Sequence, residues 1–375
     1  MGAVYIHIPF CKQACHYCDF HFSTSMGKKE EMLRALKKEL YLRKGDFEDE
    51  IVETVYFGGG TPSILSVKEL QDIIDTVYAY YKVEANPEIT VEANPDDLSD
   101  DRIMALGNSA VNRLSIGIQS FFDEDLKWMN RAHNGEEARR CLATATGYFD
   151  NITIDLIYGV PGTDHAHWRK NLELALSYGI PHISAYALTV EPRTALDKFI
   201  RDGKTTAPDE IHAREQFLIL TEVLQSQGFI HYELSNFGKE GYFSRNNTSY
   251  WLGKKYLGIG PSAHSYDGVS RSWNVANNAK YLKALDKEIL PGEKEELSLS
   301  DRYNEYVMTG LRTIWGVSLK RLEEDFGAIY YRYLLRQAAK HLDLGLLELQ
   351  YDVIRPTARG KFLTDGIASD LFYVD

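Results

Sequence analysis

The sequence predicts an α/β fold, a partial or full TIM-like (β/α) barrel followed by a small C-terminal α+β domain of winged-helix type. Three observations carry this prediction. Short runs rich in β-branched and aromatic residues alternate with helix-patterned stretches through the first 235 residues. Three of the four cysteines, Cys11, Cys15 and Cys18, follow directly on the first of those runs. The residues after 297 then change character, reading as helices that end in a hairpin.

The strand-like runs lie at 4–8, 51–57, 88–92, 113–118, 152–156 and 182–187, each bounded by Gly, Pro or Asn. The clearest helix follows the second run. Val67, Leu70, Ile73, Ile74, Val77 and Tyr81 recur at helical spacing, and Ser66 with Glu69 forms a capping box. Asp209, after Pro208, reads as the N-cap of a helix that carries Phe217, Leu220 and Leu224 on one side. Repeated strand–helix units imply parallel strands joined by right-handed crossovers, so residues 1–235 are expected to form the barrel. Residues 236–296 are rich in Gly, Asn, Tyr and Trp, lack periodicity and end in the charge run Glu293-Lys294-Glu295-Glu296, which suggests an irregular connecting region. Residues 297–375 form the C-terminal domain, with helices expected at 303–313, 319–326 and 330–342 and a hairpin built from 346–354 and 355–362.

Composition excludes several classes of function. With 44% hydrophobic and 26% charged residues, the 375-residue chain is ordinary globular protein rather than collagen-like or disordered. A formal charge of −12 argues against a nucleic-acid partner, because phosphate backbones demand clustered Lys and Arg. The C-terminal domain balances 10 Lys/Arg against 11 Asp/Glu, so a packing or lid role is expected there rather than DNA reading. No stretch approaches the roughly 18 apolar residues of a membrane span. No basic, then apolar, leader precedes Val4, and a cytoplasmic location is the expectation.

The run His7-Ile8-Pro9-Phe10-Cys11-Lys12-Gln13-Ala14-Cys15-His16-Tyr17-Cys18 sits where a barrel carries its chemistry, in the loop after a strand. Three thiolates at CxxxCxxC spacing can wrap one loop around a metal centre, and a 4Fe–4S cluster held this way keeps one iron free of protein ligands. Zinc is an alternative if His7, His16 or His21 supplies a fourth ligand, and inert buried thiols are another. Cys141, in a helical stretch, reads as a small core residue. Gly58-Gly59-Gly60-Thr61-Pro62 after the second strand lets backbone approach a ligand closely, or makes a tight turn only; Ser63-Ile64-Leu65 lacks the Lys of a phosphate loop. Glu92, Gln119, Arg131 and Asp155 lie at or after later strands. Singly each could be a solvated residue or a cap, but together they suit a zwitterionic, hydroxyl-rich nucleotide.

Tyr5-Ile6-His7-Ile8-Pro9-Phe10 followed by CxxxCxxC resembles the radical S-adenosylmethionine (SAM) superfamily. Within it, nearly the whole chain is similar to the oxygen-independent coproporphyrinogen III oxidases and their close relatives, the HemW-type haem chaperones. The resemblance implies a radical-SAM barrel, with a 4Fe–4S cluster on Cys11, Cys15 and Cys18. It implies SAM contacts at Gly59, Gly60, Thr61, Glu92, Gln119, Arg131 and Asp155, and also at Tyr5 and Tyr17; no catalytic residue is assigned. The implied chemistry is reductive, an electron from the cluster cleaving the SAM sulfonium.

The resembled oxidases carry another cysteine two residues after the third, where this sequence has Phe20, and a longer segment ahead of the cysteines. Both departures are shared with the chaperones. The resemblance therefore implies haem or another tetrapyrrole as ligand, delivered to an acceptor protein, with a reductant for the cluster. It leaves open a homodimer and the alternative of a tetrapyrrole-modifying enzyme. Ser244-Arg245-Asn246-Asn247-Thr248-Ser249-Tyr250-Trp251 is similar to the chaperones' H-N-x-x-Y-W motif, with Asn246 at the histidine position. A carboxamide is a poor iron ligand, so His264 becomes the nearest alternative, and Tyr250 and Trp251 read as core aromatics or one wall of a flat pocket.

Overall fold

Six parallel strands open the chain in the computed structural model, which describes residues 1–374. They are β1 (Gly2–Ile8), β2 (Ile51–Gly59), β3 (Lys82–Ala93), β4 (Arg113–Gln119), β5 (Ile152–Tyr158) and β6 (His182–Ala187), paired in sequence order. Every residue of β4 is buried and β1 and β5 have one partly exposed position each, as expected of barrel strands covered outside by crossover helices and filled inside by side chains. The helix Val67–Tyr80 starts at the expected capping box: the Glu69 N–H donates to Ser66 Oγ at 3.2 Å, and the Ser66 N–H donates to Glu69 Oε2 at 2.7 Å. Asp209 caps the helix Glu210–Ser226 as expected, accepting the N–H groups of Ile211 and His212.

Further strands extend this sheet at both edges, all pairing antiparallel except β9, which runs parallel to β1. β7 (Ile230–Glu233) and β8 (Asn236–Gly238) continue past β6, while β9 (Lys255–Ile259), β10 (His264–Tyr266), β11 (Ser270–Asn274) and β12 (Gly292–Glu296) continue past β1. The twelve strands run in the order β12-β11-β10-β9-β1-β2-β3-β4-β5-β6-β8-β7, so the barrel is partial, with β12 and β7 as its edges.

That topology corrects the reading of 236–296 as an irregular connector. Five strands and the helices Arg245–Trp251 and Asn278–Asp286 occupy it, and β9 pairs in parallel with β1 from more than two hundred residues away. The charge run 293–296 is edge strand β12 itself. All five of its residues are exposed, and the alternating charges keep an open sheet edge from pairing with another chain.

The C-terminal domain has its own core, among others Tyr303, Val307, Leu311, Leu322, Leu334 and Ile367 from the helices Leu299–Leu311, Leu319–Phe326, Ala328–Asp343 and Thr364–Leu371, with Ile354 from a strand of the hairpin. The hairpin is shorter than expected. β14 (Leu347–Gln350) and β15 (Val353–Pro356) meet at a tight turn where Tyr351 and Asp352 both take positive φ, and residues 357–362 leave the sheet. A short β13 (Val317–Ser318) adds a third strand beside β15, which completes the winged arrangement. The domain is stitched to the barrel by backbone bonds from Leu234 N to Arg312 O (3.1 Å) and from Ile314 N to Tyr232 O (3.0 Å).

Candidate functional site at the mouth of the barrel

A cavity of about 700 Å3 opens at the C-terminal ends of the parallel strands. The cysteine loop forms one wall, and its position is set by backbone bonds rather than by regular structure. Cys11 N donates to Ser23 O (3.1 Å), His16 N to Met129 O (3.1 Å) and Leu196 N to His16 O (2.8 Å). The amides of Gln13 and Asn130 clamp the loop further: Gln13 Nε2 donates to Asn130 Oδ1 (2.8 Å) and Asn130 Nδ2 to Ala14 O (2.7 Å).

The glycine run is packed directly beneath. Gly60 N donates to Ile8 O (2.8 Å) and Thr61 N to Phe10 O (2.7 Å). A Cβ on Gly60 would sit 2.5 Å from Phe10 O, and Gly59 takes φ +104° with its Cβ position 2.5 Å from the His7 ring. Both glycines are therefore required by close approach to β1 and the start of the cysteine loop as well as by any ligand above them.

Cys11, Cys15 and Cys18 are half-buried and line the cavity, whereas Cys141 is buried in the helix Gly135–Ala145 as expected. Each cluster thiol has a donor of its own. Thr61 Oγ1 donates to Cys11 Sγ (3.4 Å), Arg131 Nη1 to Cys15 Sγ (3.2 Å), and the Phe20 N–H faces Cys18. Burial raises the Cys18 thiol to about 11 and Cys11 above its usual range, with the neighbouring cysteines adding to both. Ionising Cys11 and Cys18 therefore calls for positive charge beside them. None of the histidines that could complete a zinc site, His7, His16 or His21, lines the cavity with the thiols, and each holds one ring nitrogen on a neighbouring oxygen: His7 Nε2 with His21 O (2.9 Å), His16 Nδ1 with Trp128 O (2.8 Å) and His21 Nε2 with Asn278 Oδ1 (2.7 Å). Three thiols with donors and no fourth side chain fit a cluster with one open iron better than a closed tetrahedral ion.

Beside the cysteines lie the polar residues read from the strand ends. Arg131 reaches in from the loop after β4; its Nη2 donates to Asn94 Oδ1 (2.6 Å) and Gly117 O (3.2 Å), while its Nε is buried without a partner. Gln119 sits at φ +58° with a buried, unpartnered Oε1. Two orphaned polar atoms in one cavity wall are what a site built for a polar ligand leaves when the ligand is not among its partners. Glu92 accepts from Tyr56 OH (2.8 Å) and from the Gly59 N–H, yet burial, with the nearby Asp155 adding to it, pushes its carboxyl up to about 7. Burial likewise raises Asp155 to about 6, opposed by bonds from Ser184 and Ser115 and by Arg113 and Arg131. Tyr17, Ile157 and Leu188 line the cavity, packed against Met129 and Val160 behind them.

Tyr5 is the exception among the expected contacts. It does not line the cavity, and its ring stacks on Tyr56 (6.0 Å, 20°) and flanks Gly58 opposite Glu92, so it backs the carboxylate rather than facing a ligand. Sequence reading missed Asn94, which ties Arg131 to Thr61 (Nδ2 to Oγ1, 3.3 Å), although it lies two residues after Glu92 in the same run. It also missed Arg312 and Lys361, which the C-terminal domain contributes to the cavity and which no local pattern marks.

The residues considered for haem lie elsewhere. Asn246 is buried at the opposite, N-terminal end of the strands, where the helix Arg245–Trp251 plugs the barrel. Its Oδ1 accepts from Thr54 Oγ1 (3.0 Å) and its N–H donates to Glu88 Oε1 (3.1 Å). The same polar layer holds Arg113, Thr153, His182 and Tyr232, with His182 Nε2 2.7 Å from Tyr232 OH. His264, on β10, stands beside Trp273 (6.2 Å between rings) outside the cavity. Tyr250 and Trp251 line a second hollow of about 460 Å3, together with Tyr256, Tyr306 and Phe326.

Comparison with known proteins agrees with this geometry. The Radical SAM superfamily matches residues 5–182 and the HemN C-terminal domain matches residues 297–363. The chain is 33% identical over 374 residues to the heme chaperone HemW of Bacillus subtilis, covering 98% of each. It is 34% identical to that of Mycobacterium tuberculosis, covering 98% of this chain and 94% of the relative. Coproporphyrinogen III oxidase (HemN) from Escherichia coli, described as a radical SAM enzyme, shares the fold at a TM-score of 0.85 with 22% identity, over 99% of this chain and 89% of its own.

Proposed function

The chain belongs to the HemW family of radical SAM proteins, and on that footing we propose that it binds haem and passes it to an acceptor protein. Membership in the radical SAM superfamily implies a 4Fe–4S cluster and SAM. Cys11, Cys15 and Cys18 would hold the cluster; Gly59, Gly60, Thr61, Glu92, Gln119, Arg131, Asp155 and Tyr17 would hold SAM, with Tyr5 backing Glu92. When bound, the pair supplies one-electron reductive chemistry. Around it, Arg131 places positive charge beside Cys15, Glu92 and Asp155 offer carboxylates to hydroxyl or ammonium groups, and the apolar wall at Tyr17 excludes water.

The observation that carries the chaperone reading is end-to-end relatedness to haem chaperones combined with Phe20. Where the resembled oxidases place a further cysteine, Phe20 is 68% exposed on the cysteine loop. The test is anaerobic: reconstituted protein is given SAM, a reductant and coproporphyrinogen III, and separately titrated with haem. The expected result is a Soret band on haem addition and no change in the tetrapyrrole. Decarboxylated tetrapyrrole appearing with matched 5′-deoxyadenosine would make the protein an oxidase and overturn the proposal.

A further inference from the structure

At the end of the cavity away from the cysteines, the C-terminal domain presents two cations of different standing. Arg312 is already neutralised: its Nη1 meets Asp365 (2.5 Å), its Nη2 meets Glu233 (3.5 Å), and its guanidinium lies over the Trp251 ring (5.3 Å). Lys361 is not. Among the described residues no carboxylate oxygen lies within 4.0 Å of its Nζ, which contacts only His231, at Nδ1 (3.0 Å) and at the carbonyl oxygen (3.5 Å).

His231 is fixed in the form that suits this contact. Its Nε2 donates to Leu234 O (3.0 Å), leaving Nδ1 as an acceptor for the ammonium, and its ring stacks on Phe237 (4.0 Å, 14°) and meets the edge of Phe217. Burial and the adjacent lysine hold the imidazole neutral, at about 3. Next to Lys361, Phe362 packs on Phe217 (5.5 Å), which anchors the short turn that carries the lysine. A half-buried ammonium oriented by a neutral ring, with burial alone shifting it down to about 8, lacks the counter-ion that such groups ordinarily find within the protein.

We infer that Lys361 is the anchoring cation for a ligand carboxylate, and that the cavity takes its tetrapyrrole with a propionate against this lysine and the macrocycle toward Phe217 and the apolar wall. The inference deepens the haem-binding reading and rests on it. It gives the C-terminal domain a direct part in ligand recognition and locates the ligand in the cavity, away from the Tyr250–Trp251 hollow. The carboxylate completes an ion pair in a partly desolvated site, where charge-assisted hydrogen bonds are strongest.

The test uses full-length protein with its cluster and SAM, titrated with haem and with haem dimethyl ester, which lacks free carboxylates. Lys361→Met should weaken haem binding roughly tenfold to a hundredfold. Lys361→Arg should restore most of the loss, and the exposed control Lys320→Met should change nothing. The diester should bind wild type and Lys361→Met alike. Iron content and SAM affinity of each variant report that the fold is intact. Equal haem affinity in wild type and Lys361→Met, or a diester that binds wild type as tightly as haem, overturns the assignment. If wild type binds neither compound, the haem reading fails, and coproporphyrin III, with four propionates, becomes the probe. Binding lost in Lys361→Met then upholds the lysine's role, and no binding by wild type overturns it too.

Discussion

Glu92 offers a sharp test of whether the strand-end carboxylates are built for a ligand. Half-buried at the cavity wall beside Asp155, its carboxyl is held at about 7 by desolvation, against 4.5 for a free side chain. At 1.36 kcal/mol per unit, keeping it ionised in the ligand-free fold costs about 3 kcal/mol. The sign follows from proton binding. The folded state holds this proton more tightly than the unfolded state, so stability is greatest below the unfolded value and falls as pH rises through about 7. Glu92→Gln keeps an oxygen for the Tyr56 hydroxyl but removes the charge. Without SAM, the variant should therefore melt above wild type at pH 8, by a margin that shrinks at pH 5.5 and vanishes only as pH falls below the unfolded value. SAM affinity at pH 8 should move the other way, falling roughly tenfold in the variant as a charge-assisted contact is lost. Thermal melts at the two pH values, with and without SAM, are the assay. If Glu92→Gln lowers the melting point equally at both pH values, the carboxylate is satisfied by the fold itself and the reasoning fails.

Two further substitutions probe the site and the opposite end of the barrel. Gly60→Ala places a Cβ 2.5 Å from Phe10 O and 2.8 Å from Ile8 O, both rigid backbone, and should displace the cysteine loop. Iron and sulfide content after anaerobic reconstitution should drop sharply while circular dichroism stays near wild type; full cluster occupancy would contradict this. Asn246→His puts an imidazole into the buried layer held by Thr54 and Glu88, far from the cavity. It should destabilise the protein by about 1–3 kcal/mol without altering the axial-ligand signature of bound haem. A new bis- or mono-histidine haem spectrum would place the ligand at the barrel's plugged end instead.

Much of this protein was legible locally. The capping box of Ser66 and Glu69, the six strand cores and the cysteine spacing all depend on interactions within a few residues, and each forms where the sequence places it. Glu92, Gln119, Arg131 and Asp155 were readable because strand ends in a parallel barrel converge by topology alone. Residues 236–296 were not readable, because β9 acquires its strand identity by pairing with β1, and the exposed charges of β12 reflect an edge position that periodicity cannot reveal. The turn at Tyr351 and Asp352 lacks the Gly or Asn that usually marks positive φ, so the hairpin was drawn too long. Tyr5 and Asn246 carried motif signals, yet one lies behind the cavity wall and the other at the far end of the barrel. Sequence by itself determined the barrel's repeating units and the three-thiol centre, since those rest on short-range hydrogen bonding and contiguous spacing. Only the tertiary structure decided that Lys361, some 350 residues from Cys11, shares its cavity without a carboxylate partner, because both that proximity and that missing counter-ion are set by how two separate cores pack together.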